Sequence, residues 1–136
     1  MDPELFLSAQ DRVWPVVLSE LEQGRKTSHW MWFVFPQLDA LGRSATAKRF
    51  GLRGLDDAAS YLAHPVLRER LVEVSQLMLR HQGLSAQDIL GKVDAMKLRS
   101  SMTLFAAVPG SPRIFAHVLD RFFDGAGCPV TLQEIA

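Results

Sequence analysis

Apolar residues recur along most of this chain at spacings of three and four, the pattern of helices that bury one stripe. In the segment 11–23, Val13, Trp14, Val17, Leu18 and Leu21 share a face. Asp11 reads as its N-cap, Pro15 falls in the first turn where a missing N–H costs least, and Gly24 ends it. Short helices follow from about Ser44 to Phe50 and from Gly54 to Ala63, the second with Asp56 and Asp57 where the macrodipole favours carboxylates. The clearest helix starts at His64-Pro65, because proline suits the first helical position. Leu67, Leu71, Val74 and Met78 form its core stripe, and Gly83 ends it. A short helix from Ser85 closes at Gly91, and Asp94 caps the next through about Val108. Pro109-Gly110-Ser111-Pro112 then forces a turn. Ile114, Phe115, Val118, Leu119 and Phe122 mark a last long helix, and the tail 125–136 is expected to pack loosely, a turn of helix after Thr131 being open.

One segment resists the pattern. Ser28-His29-Trp30-Met31-Trp32-Phe33-Val34-Phe35-Pro36-Gln37 carries four aromatic rings and no formal charge. Propensity favours a buried strand there, yet the chain offers no second convincing strand to pair with it. A short helix opened by Ser28 and closed by Pro36 is the reading adopted. The expected fold is therefore all-α, a single domain spanning 1–136, built as an irregular bundle of about six to eight short helices. Its common core is expected from Leu67, Leu71, Val74, Met78, Met102, Phe105, Val118 and Phe122.

Composition narrows the function classes. At 48% apolar and 22% charged residues the chain is ordinary for a globular domain of 136 residues. Fifteen basic residues balance fifteen acidic ones, so no global field draws nucleic acid or an anionic membrane, and nucleic-acid binding is not expected. No run approaches the roughly 20 apolar residues that span a bilayer, and Met1-Asp2-Pro3-Glu4-Leu5 is no signal sequence. A cytoplasmic protein without membrane contact is expected. Cys128 is the one cysteine; with Gly127 and Pro129 as neighbours and no adjacent base, it reads as an inert or mildly exposed thiol. No histidine or carboxylate spacing suggests a metal, and no phosphate-loop, dinucleotide or nucleophile-elbow motif suggests a cofactor.

Candidate chemistry concentrates in two blocks. Lys97-Leu98-Arg99-Ser100-Ser101 crowds cations and hydroxyls near a helix start, where the macrodipole ordinarily favours acids. Free N–H groups with Lys97, Arg99, Ser100 and Ser101 would make an anion site. The structural alternative is that Lys97 and Arg99 pair with acids such as Asp94, Asp39 or Glu73. In the aromatic block, Trp30 and Trp32 could stack on a ring, and His29 is the candidate acid or base. His29 can equally be a polar residue at a helix start with rings packed behind it.

These same residues carry a resemblance. The chain resembles the family called domain of unknown function 1810 (DUF1810), small bacterial and fungal proteins sometimes mislabelled as calpastatin-like. The resemblance rests on Ala9-Gln10, Gly24-Arg25-Lys26, Ser28 to Phe33, Phe35-Pro36-Gln37-Leu38, Gly42-Arg43-Ser44, Tyr61-Leu62 with His64-Pro65, Lys97 to Phe105, and Val118-Leu119 with Phe122-Phe123. It covers nearly the whole chain. It implies an all-helical fold and brings no established activity.

Two classes of function stay open. One is a domain that binds a small anionic or nucleotide-like ligand between the two blocks, with hydrolysis as the simplest reaction if chemistry occurs. The other is a protein interaction module that uses an exposed aromatic patch. Convergence of the blocks in one pocket separates them.

Overall fold

The computed structural model describes residues 1–136, and its first helix, α1 (Pro3–Gln23), is longer than the spacing predicts. Asp2 caps it by accepting the Glu4 N–H at 3.0 Å, and Pro3 occupies the first helical position. Phe6 and Gln10, both buried, carry the inward stripe upstream of the predicted start. Asp11 is consequently mid-helix rather than a cap, and its carboxylate pairs with Arg70 at 2.7 Å. Pro15 lies in the helix interior, where it removes an N–H and crowds a carbonyl one turn back. Burial of Val17 and Leu21 beyond it holds the helix in one piece. Gly24 ends α1 in the left-handed region, φ 71°, as the sequence predicts.

The aromatic segment yields only one turn, α2 (Met31–Val34). Ser28 does not cap it, because its hydroxyl and N–H both turn to Glu20. After a 3-10 turn at Asp39–Leu41, Leu38 and Leu52 form an isolated parallel bridge. There the backbones approach so closely that a Cβ on Gly51 would collide with Asp39. Next come α3 (Ala45–Arg49), capped by Ser44, and α4 (Leu55–Ala63). The longer α5 (Pro65–Leu79) follows, with His64 Nδ1 accepting the Leu67 N–H. A capping box of Ser85 and Asp88 opens α6 (Ala86–Leu90). The next helix, α7 (Lys92–Ala106), starts at Gly91 instead of Asp94. Asp94 therefore stands in its first turn, and Lys97 and Arg99 lie deeper in the helix than a cap at Asp94 would put them. The last long helix is α8 (Ile114–Phe123). The tail, expected to be loose, forms α9 (Pro129–Ile135), which packs on α7 through a fully buried Thr131.

Nine α-helices and no strand make the fold all-α, one helix more than the upper end of the expected range. No helix is long and apolar enough to cross a membrane. At the centre, α7 touches α4, α6, α8 and α9, and α5 packs against α1, α4 and α8. Leu67, Leu71, Val74, Met78, Met102, Phe105 and Val118 are all buried. Phe122 is the exception; it sits half-buried at the edge, under the Arg121 guanidinium at 4.6 Å. One turn beyond Val118, it packs against the core from its margin.

Candidate functional site

Glu20 organises the aromatic block, and sequence reading missed it. Its carboxylate, near the end of α1, accepts the Thr27 and Ser28 N–H groups at 2.9 and 3.0 Å. It also accepts both their hydroxyls and the Trp30 indole N–H, the last at 2.9 Å. Burial alone would push this carboxyl up; the Ser28, Thr27 and Trp30 hydrogen bonds outweigh it and hold the pKa down at about 2. The partners come from a loop seven to ten residues downstream, so no helical spacing signals them. A second anchor is Gln10, whose amide donates to the Phe33 carbonyl at 2.7 Å and to the Tyr61 hydroxyl at 3.0 Å.

These anchors fix the tryptophans in different roles. Trp30 is fully buried, with the Lys26 ammonium 5.0 Å from its ring centroid. It is part of the core and presents no face to a ligand. Trp32 is half-buried, and Lys97 from α7 reaches across to lie 4.7 Å from its centroid. The two sequence blocks therefore meet at Trp32 and Lys97. Asp94 bridges them further, pairing with Lys26 at 2.7 Å and with Lys97 at 3.6 Å. Beneath this contact Met31, Trp32, Phe35, Gln37 and Lys97 border a crevice of about 10 Å³, at the lower limit for a single water.

The remaining polar residues of the second block diverge from that point. Arg99 meets no acid; its Nε and Nη2 donate to the Ala126 and Gly127 carbonyls at 2.9 and 3.0 Å. Ser100 donates to the Met96 carbonyl at 3.1 Å, and its oxygen lies 3.4 Å from Cys128 Sγ. Ser101 is fully buried one turn after Lys97, and its hydroxyl has no partner. His29 stands exposed between Ser28 and Trp30 and makes no hydrogen bond. Of the residues proposed from sequence, the fold joins Lys97 with Trp32. It turns Arg99 and Ser100 toward the loop before α9, buries Trp30 and Ser101, and leaves His29 at the surface.

Charge at the junction is uneven. Asp94 commits its shorter ion pair to Lys26, whose side chain is 7% exposed, while Lys97 keeps a long contact and 23% exposure. An ammonium has three donors, and those of Lys97 have no close oxygen partner apart from Asp94. Lys97 is the accessible cation of the pair.

Comparison with known proteins agrees with this architecture. The family model described as "Protein of unknown function (DUF1810)" matches residues 1–135. The crystal structure of the conserved hypothetical protein Rv1873 from Mycobacterium tuberculosis, at 1.38 Å, superimposes with a TM-score of 0.96 at 42% sequence identity, covering 98% of this chain and 96% of that one. No curated protein matches the sequence.

Proposed function

The chain belongs to the DUF1810 family, and on that premise we propose that it binds a small anionic or nucleotide-like ligand at the junction of α2 and α7. One observation carries the reading: Lys97 from one motif block lies over Trp32 from the other, 4.7 Å from the ring centroid, with its ammonium only weakly neutralised by Asp94. The anionic group of the ligand would take the Lys97 donors that Asp94 leaves free. Its ring or ribose would lie along the exposed part of Trp32. This site is smaller than the pocket expected from sequence, because Arg99 and Ser100 are engaged with the C-terminal loop. The reading is one of binding, and it assigns no proton transfer to His29.

A thermal-shift screen against nucleotides, nicotinamide-dinucleotide derivatives and sugar phosphates tests it. A true ligand at 100 times its dissociation constant adds about 2.7 kcal/mol to stability. That gain should vanish in Lys97→Ala and in Trp32→Ala and persist in Arg99→Lys. A ligand that stabilises all three variants alike binds elsewhere and sinks the assignment.

A further inference from the structure

Away from the Trp32 junction, the first half of α1 and the end of α3 border a cleft of about 370 Å³. Helical spacing builds one wall. Glu4, Ser8 and Arg12 follow at i, i+4 and i+8, so a carboxylate, a hydroxyl and a guanidinium stand in a row along α1. At a rise of 1.5 Å per residue that row is about 12 Å long. Arg49, the last residue of α3, brings a second guanidinium to the cleft, and Leu5, Ala9 and Phe50 line its apolar part. Phe50 is buried and braced by two rings, its centroid 5.7 Å from that of Phe6 and 5.2 Å from that of Phe33. The Arg49 guanidinium lies over Phe50 at 5.5 Å, which orients its fork before any ligand arrives.

The charges of the cleft are not spent inside the fold. Its four ion pairs include neither Arg12, Arg49 nor Glu4. Glu4 enters the capping contact with Asp2 through its N–H alone, which leaves its carboxylate open. Two helical turns keep Glu4 and Arg12 from pairing with each other, because side chains on a helix meet at three or four residues. The cleft is therefore segregated, with cations at one end and an acid at the other.

Each guanidinium offers five N–H donors in a fork that matches a carboxylate or a phosphate. A ligand with phosphate alone would leave the Glu4 end unused and be repelled by it, whereas a zwitterion engages both ends. An extended peptide spans about 3.3–3.6 Å per residue, so three or four residues cover the row. We propose that this cleft binds an elongated zwitterion, a free peptide of three or four residues. Its carboxylate sits between Arg12 and Arg49, its ammonium meets Glu4, and its middle lies along Leu5, Ala9 and Phe50. This site is separate from the Trp32 junction and asks for different chemistry.

Trialanine is titrated into the full-length protein at low salt, and amide and side-chain N–H shifts are followed by NMR. Saturable shifts should centre on Glu4, Ser8, Arg12 and Arg49, with the Trp32 indole signal unmoved. N-acetyl-trialanine lacks the ammonium and trialaninamide lacks the carboxylate; each should bind at least about tenfold more weakly. Glu4→Gln should erase the preference for the free amine, and Arg12→Gln combined with Arg49→Gln the preference for the free carboxylate. Equal affinity of wild type for the three peptides overturns the proposal whatever the variants do. So does the absence of saturable shifts at about 10 mM trialanine, or a shift pattern centred on Trp32.

Discussion

The Trp30 indole N–H donates to Glu20 Oε1 across 2.9 Å, so the fully buried tryptophan of the aromatic block hangs from a carboxylate near the end of α1. Replacing Glu20 by Gln puts an amide NH₂ among donors that need an acceptor. Each buried donor left unpaired costs about 1–3 kcal/mol. Urea unfolding at pH 7 should register a loss of at least that size, and an unchanged midpoint would show that the carboxylate is dispensable.

The same group predicts an acid limb. Its folded pKa of about 2 lies below the ordinary 4.5, so the unfolded chain takes up a proton first as pH falls. Glu20 therefore contributes its full stabilisation above pH 4.5, and that contribution is lost progressively as pH drops toward 2. The stability gap between wild type and Glu20→Gln should narrow across this window and stay constant between pH 5 and 7. A gap that does not narrow on acidification would contradict the assignment.

How far the sequence reached follows from the range of the interactions. Caps and stripes are local, so His64-Pro65, Ser44, Ser85 and the Leu67–Met78 stripe could be read directly. Asp11 misled because it too is a plausible cap, and only the burial of Phe6 and Gln10 against distant elements shows that the helix starts earlier. Ser28 misled for the same reason: its partner, Glu20, belongs to another element. Arg99 was expected to meet an acid or an anion, and it met two backbone carbonyls 27 and 28 residues away. Carbonyl acceptors leave no trace in a residue pattern. The neighbours of Cys128 in sequence are Gly127 and Pro129, whereas its neighbours in space include Ser100 and Thr103 of α7, which no local pattern signals.

The clamp predicts a local consequence for Arg99→Ala. Loss of both bonds frees the loop before α9 and should cost about 1–3 kcal/mol. Amide hydrogen exchange should rise chiefly in residues 126–135, with α5 protected as before. Had Arg99 closed a buried ion pair, the loss would instead be about 3–5 kcal/mol and spread over the whole fold. Exchange confined to the C-terminal helix separates the two.

Leu71 tests the centre of the bundle. It is 1% exposed on the face of α5 that meets the core, so Leu71→Ala removes apolar contact and leaves a cavity. The expected cost is on the order of 2–5 kcal/mol. A loss below about 1 kcal/mol would mean that the site collapses freely, which the close packing of protein interiors argues against.

Lys97→Ala is the variant in which stability and function should part. The ammonium is partly exposed, its contact with Asp94 is long at 3.6 Å, and Asp94 keeps Lys26 at 2.7 Å after the change. Cation–π and ion-pair terms of this exposure are worth about 0.5–1 kcal/mol each at most. The melting temperature should therefore move little, while binding of an anionic ligand at the Trp32 junction is lost. A large fall in melting temperature would instead mark Lys97 as a strut between α2 and α7. Glu20→Gln runs the other way, lowering stability first and ligand binding only as the aromatic segment loosens, so the two variants together separate the scaffold of the site from its recognising group.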